Sequence, residues 1–520
     1  MARCLSFAAL VAAFAIGSIQ CTGDDPDVGA TPGDGDASSP DSSGPIGNDS
    51  GGGGDSAQNV DANDAGPVSE GKPVWSTLLG FATNISVAVD ANANVFLALR
   101  FEGTNHQFGD KSLDAQGKDI AVLKLAPDGK TVTWAKRIGG SGDEVPTALA
   151  IDPSGDVYVA GNFTSTSIDI NGVTVNKGTS TVSQGFVARL SGQNGMGIWG
   201  SGFTITQSAN LDYSSCVDVR STPSGLAFAC NFRAVVTYPG GTKTSNDRLS
   251  SLVGIINTTS GSVTRAHVVQ STVASSGGES QAVFASASDI DADGNIYVVG
   301  DSHAAKLVVD GTAVNGSELR GTSSGFLVKL KPTGQPAGEW ARVFGPLAGS
   351  GAANAQRVRV AGLDVYVAGS FLGKTDFGSG DVTSSGATDL FIVKVDDKGT
   401  AKWQKTFGGP NDDQLGGLDV DPSGRPFVAA VFPNTPISNI DGKPLPGGNN
   451  VFVAMKMDPA NGAALSVTGR GTDGALAVTD VASSSSNGHS VAAGTLEGVI
   501  DFDKTVTTTI PEVFVVDLSP

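Results

Sequence analysis

The sequence predicts an all-β protein, a seven-bladed β-propeller closed by pairing of the N-terminal strand with the last blade. Three observations predict it. A run close to hydrophobic-Tyr/Phe-Val-Ala-Gly returns seven times, at intervals of 61–70 residues. All five tryptophans fall at one phase of that repeat. The chain of 520 residues holds 71 Gly and only 16% charged residues, which suits many turns and few helices. A fixed period of this size marks an array of like units, and a closed array can be one large domain.

Each unit opens with an alternating apolar run that ends in a polar turn. Asp152-Pro153-Ser154-Gly155, Asp291-Ala292-Asp293-Gly294 and Asp421-Pro422-Ser423-Gly424 are such turns. Pro fixes φ, Gly supplies φ > 0 and Asp bonds the turn backbone, so strands one and two form a hairpin. The second strand is the recurring run, as in Val157-Tyr158-Val159-Ala160-Gly161 and Val365-Tyr366-Val367-Ala368-Gly369. A further tight turn follows, as at Asn171-Gly172, Asp310-Gly311 and Asp441-Gly442. This excursion lengthens the period beyond that of familiar propeller repeats. The third strand reads Phe186-Val187-Ala188-Arg189-Leu190 in one unit and Phe391-Ile392-Val393-Lys394-Val395 in another.

The fourth strand carries the tryptophans Trp75, Trp134, Trp199, Trp340 and Trp403, and in two units lies near 264–268 and 464–467 without one. Its first copy, at 74–77, precedes any first strand, while the seventh unit ends after a third strand. Pairing the two ends completes seven four-stranded sheets and removes the exposed edges an open row would keep.

Residues 152–163 and 185–190 together resemble the bacterial SBBP-type β-propeller repeat, as does Trp-Ala-Lys-Arg-Ile-Gly-Gly-Ser-Gly-Asp-Glu (134–144), which 403–413 repeats. The resemblance extends from about residue 74 to the C-terminus. It implies a secreted or surface bacterial scaffold and no single defined activity.

Two segments precede the repeats. Met1-Ala2-Arg3 and the Ala-rich apolar run that follows read as a secretory signal, residues 1–20, too short to span a bilayer. Ser18-Ile19-Gln20-Cys21 resembles a bacterial lipobox, with Ser18 and Gln20 departing from it. Residues 21–72 are then a lipidated cysteine and a Gly/Ser/Asp-rich tether. Ten Asp and one Glu stand against one Lys from 22 to 72, with almost no large apolar residue, so the segment is expected to stay disordered. Its reach as a flexible coil is roughly 40 Å. The alternative is ordinary signal cleavage near Gly17, leaving Cys21 a spare thiol. The propeller is placed at 73–520.

Most of the net charge of −19 lies in the tether, and no basic stripe exists, which argues against nucleic acid as a partner. Cys216 and Cys230 flank the turn Pro223-Ser224-Gly225 symmetrically and are expected to form a disulfide across a hairpin. The other reading is a pair of buried thiols.

On the first strands, the place of Ala88 and Ala150 becomes Arg220, Asp289 and Asp419, with Arg359 near it in unit five. Innermost strands line a propeller's channel, so these four are the candidate binding residues, against the plainer reading of polar groups facing channel water. Asp289, Asp291 and Asp293 match the opening of a calcium loop but lack its twelfth-position Glu, where Gly300 stands; a hairpin turn is the competing reading. No other cofactor is expected. His106, His267, His303 and His489 sit at unrelated phases, and no linear catalytic motif appears.

The leading expectation is therefore an exported, membrane-tethered monomer at the outer membrane, periplasm or cell surface, binding a protein, glycan or cell-wall ligand. A propeller hydrolase or lyase working at the channel mouth is the runner-up, and a purely structural envelope protein the third.

Overall fold

The computed structural model describes residues 73–518, apart from 179, 206–212, 247, 273–281, 304–305, 319–322, 347–350, 434–436, 485 and 487. The signal run, Cys21, the tether and residues 519–520 lie outside the described residues.

Every element among the described residues is a β-strand. Seven antiparallel blades stand in a ring, each starting from an innermost strand. These are Thr83–Val89, Glu144–Ile151, Ser214–Thr222, Val283–Ile290, Ala352–Ala361, Gln414–Val420 and Leu476–Ser483, for blades one to seven. Each packs beside the next, and the last beside the first, around a central channel.

Blade seven is built from both ends of the propeller. Its outer strand is Trp75–Leu78, hydrogen-bonded to Thr505–Asp517 with Trp75 opposite Asp517 and Leu78 opposite Phe514. Further bonds run from Val74 N to Asp517 O (2.8 Å) and from Leu79 N to Val513 O (3.0 Å).

The apolar core lies between blades. Seven clusters of buried side chains each draw on two neighbouring blades, and together they go once around the ring. The closing cluster joins Trp75, Val491 and Val515 to Leu97 and Leu123. Closure is thus a continuous hydrophobic contact as well as a ladder of hydrogen bonds.

The extra excursion does more than lengthen the loop. In units two to five it is a hairpin that adds to the outer strand of the preceding blade, so blades one to four become six-stranded sheets. Ser167–Ile170, for instance, places Ile170 opposite Ile138 of blade one. The turns Asn171-Gly172, Asp310-Gly311 and Asp441-Gly442 have φ > 0 at both residues, as tight hairpin turns require. The first-to-second-strand turns are capped by Asp: Asp90, Asp152, Asp291 and Asp421 each accept the N–H of the residues two and four ahead.

Geometry also explains the repeated letters. Every innermost strand has a register irregularity against its second strand, as between Ala355 and Arg357. That bulge drives a carbonyl toward the partner strand. A Cβ on Gly161, Gly300, Gly369 or Gly494 would collide with the carbonyls of Val145, Phe284, Asn354 or Ala477. Hence the run ends in Gly in units two, four, five and seven, whereas units one and six hold Leu99 and Ala430 there. In unit three the same place holds Cys230.

The tryptophans fasten blade to blade. The indole N–H of Trp134, Trp199, Trp340 and Trp403 donates to Gly192, Thr258, Asp397 and Pro459 carbonyls in the next blade's third-to-fourth-strand turn, at 2.7–3.3 Å. Lys124, Arg189, Lys329 and Lys394, opposite those tryptophans, donate to the same four carbonyls. Each cation also lies over a second-strand ring, Phe96, Tyr158, Tyr297 or Tyr366, at 5.0–5.8 Å.

Candidate functional site

Side chains two apart on a strand share a face. The innermost strands therefore present two tiers to the channel. One tier is Ala88, Ala150, Arg220, Asp289, Arg359, Asp419 and Ala482, all at one register position against their second strands. Arg359 occupies the same register position as the other three candidates. The second tier, two residues earlier, includes Asp218, Arg357 and Asp480. The sequence reading missed these three, although the same period of two points to them.

The four candidates come together. Arg220 of blade three crosses to blade six, its Nη2 2.8 Å from Asp419 Oδ1, and its Nε stands 3.8 Å from Asp289 Oδ1. Arg359 Nε donates to the same Asp419 oxygen at 2.9 Å. Asp289 and Asp419 are 3% and 2% exposed, so a lone charge at either place would be costly. Burial works to raise both acids. At Asp419 the two arginines and the Ser483 N–H outweigh it and hold the carboxyl below its ordinary value. At Asp289 burial prevails over Arg220 and Arg359, and the carboxyl lies above its ordinary value. Burial likewise raises Asp480, against the opposing pull of Arg357.

These acids also tie blades together through the main chain. Asp218, Asp289, Asp419 and Asp480 accept N–H bonds from Ser288 (2.6 Å), Val360 (2.8 Å), Ser483 (2.7 Å) and Val87 (3.0 Å). In each case the donor lies on the innermost strand of the following blade. The channel charges are thus engaged with one another and with the ring.

One side of the cluster is open. Arg220 keeps 28% of its side chain exposed. It and Arg359 line a recess of about 530 Å³ between the first-to-second-strand turns of blades five and six. Ala361, Gly362, Pro422, Ser423 and Gly424 supply much of the wall. Such a recess, main-chain edges around a guanidinium, suits a polar ligand.

The calcium-loop candidates separate. Asp289 faces the channel, whereas Asp291 is occupied by its own turn, accepting Asp293 N, Asn295 N, Asn295 Nδ2 and the Tyr297 hydroxyl. Among the described residues no group of three or more His, Cys, Asp or Glu side chains is placed to hold a metal. A disulfide joins Cys216 to Cys230, which are cross-strand partners. No helix among the described residues is long and apolar enough to cross a membrane.

Residues 133–169 match the family described as "SBBP: Beta-propeller repeat". No curated protein matches the chain. Among solved structures, a protein of unknown function from Dyadobacter fermentans is similar at 11% identity, over 86% of this chain and 98% of that one, with a TM-score of 0.37. The quinohemoprotein alcohol dehydrogenase from Comamonas testosteroni is similar at 10% identity, over 86% and 76%, with a TM-score of 0.41. The NanB sialidase from Streptococcus pneumoniae is similar at 9% identity, over 88% and 71%, with a TM-score of 0.34. None of these likenesses carries an argument about this chain's chemistry.

Proposed function

We propose that this chain is an exported β-propeller, tethered to a bacterial membrane through Cys21 and residues 22–72, that binds a polar ligand of the cell envelope in the recess over Arg220 and Arg359. The observation that carries the reading is the recess itself. It is walled by turn backbone and floored by a guanidinium that spends only part of its donor set inside the protein. The acids and arginines of the channel are committed to one another, which favours holding a ligand over acid–base chemistry on it. A neutral glycan fits such a seat, its oxygens accepting from Arg220 and its hydroxyls donating to main-chain carbonyls of 422–424, whose Ser423 and Gly424 N–H groups are taken by Asp421.

The test uses full-length protein, isolated envelopes and purified wall glycan. Co-sedimentation with the glycan is expected, and Ser423→Trp, which fills the recess, should reduce it at least tenfold without lowering Tm. Equal sedimentation of Ser423→Trp would overturn the recess as the seat. Cys21→Ser is expected to move the protein from the membrane fraction to the soluble one; unchanged fractionation would overturn the anchor.

A further inference from the structure

We propose that a hard, oxygen-liganded cation of the Ca²⁺ kind sits between Asp389 and Asp413, where blades five and six meet, in the place that an arginine fills where blades one and two meet. The two junctions are built from the same repeated stretch, 134–144 and 403–413.

At the first junction Glu144 Oε2 accepts Gly140 N at 2.9 Å, and Asp119, fully buried, packs against Gly139. Arg137 lies with them: its Nε donates to Asp119 Oδ2 and its Nη2 to Gly140 O at 2.9 Å. One guanidinium therefore serves a carboxylate and a carbonyl.

At the second junction the acids are in the same places. Asp413 Oδ2 accepts Gly409 N at 2.8 Å, and Asp389 packs against Gly408. The arginine is absent: Thr406 stands where Arg137 stands in the twin. Asp389 and Asp413 are 2% and 5% exposed, yet among the described residues no Lys, Arg or His pairs with either. Asp389 Oδ2 accepts Ser385 N at 2.8 Å, but its buried Oδ1 has no hydrogen-bond partner among the described residues. The matching oxygen of Asp119 is also without a partner, but there Arg137 already supplies positive charge.

Two buried carboxylates cannot both stay ionised without compensation. A single shared proton would still leave one buried negative charge, which the first junction neutralises with Arg137. The replacement of Arg by Thr removes the guanidinium from beside the acids and the Gly409 carbonyl, the counterpart of the one that Arg137 bonds. An all-oxygen set with negative charge selects a hard cation, and mixed carboxylate and main-chain donors suit Ca²⁺ better than Mg²⁺.

Chelator-treated full-length protein, titrated with CaCl₂, MgCl₂ or KCl and followed by thermal unfolding and calorimetry, tests this. Ca²⁺ is expected to raise Tm saturably by about 2–4 °C and to bind more tightly than Mg²⁺. Thr406→Arg restores the twin's guanidinium and should fold normally while losing the Ca²⁺ response. Arg137→Thr should gain a second Ca²⁺ response. No saturable response in the unaltered protein, or a full response surviving in Thr406→Arg, would overturn the site.

Discussion

Arg220 of the third blade reaches across the channel to Asp419 of the sixth, with 2.8 Å between Nη2 and Oδ1. The contact joins residues 199 apart in sequence and bridges non-adjacent blades. Because Arg359 shares the same carboxylate, Asp419 is the hub of the channel. The ring is therefore held from inside as well as by its seam.

Removing the hub should be costly. Asp419→Ala leaves two arginines facing a buried, uncompensated site, so a loss of about 3–5 kcal/mol is expected in urea unfolding. Arg220, part exposed, loses less on truncation. In a double-mutant cycle of Arg220→Ala and Asp419→Ala, the two losses should fall well short of adding. Simple additivity would mean that the pair does not hold the channel.

The tryptophans should differ among themselves. Trp403→Phe removes a hydrogen bond to Pro459 O as well as ring area. Trp75 is 6% exposed, and its indole nitrogen has no acceptor among the described residues. Where the other blades place Lys or Arg opposite the tryptophan, the closing blade has Asp517. Trp403→Phe is therefore expected to cost about 1 kcal/mol more than Trp75→Phe. Equal losses in denaturant melts would refute the fastening role.

Glycine in the repeated run is there for space. Gly369→Ala brings a methyl group against the Asn354 carbonyl and the Phe391 ring, and a cost of about 1–3 kcal/mol is expected. Gly447→Ala, with nothing within 4 Å, serves as the control and should be near neutral. A mild effect at Gly369 would show that the bulge relaxes freely.

Acid should loosen one hairpin. Burial tends to raise the Asp310 carboxyl, but bonding to His267 and the Val268 N–H, with Lys243 nearby, holds it at about 2. Its folded value lies below the ordinary carboxylate value, so the stabilisation is fully present above about pH 4 and fades as pH falls toward 2. Over that window Asp310→Asn should lose less stability than the unaltered protein. Parallel acid melts of the two would contradict the pairing.

Much of the architecture is legible in the letters, and the reasons are local. Asp152-Pro-Ser-Gly dictates its own turn, and Asn171-Gly172 its own hairpin. Cys216 and Cys230 flank their turn closely enough for the pairing to be read, although the bulge after Cys216 supplies the one-residue shift that sets them opposite each other. What the letters do not show is anything settled between blades. The excursions of units two to five join the preceding blade, a choice made by tertiary packing and invisible to a repeat phase. Arg220, Asp289, Arg359 and Asp419 could be placed on one channel face from strand phase alone. That they would neutralise one another depends on side-chain reach across a ring whose diameter no sequence states.

The closing seam is tested most directly by a cross-link. Ser76 and Val516 are cross-strand partners at opposite ends of the propeller, 1% and 0% exposed. A protein carrying Ser76→Cys and Val516→Cys, with Cys216 and Cys230 retained, should form a second intramolecular disulfide under mild oxidation, read as faster gel migration and loss of two free thiols. Thiols that stay free in the folded protein, or bridges formed only between molecules, would contradict a seven-bladed ring sealed by its own first strand.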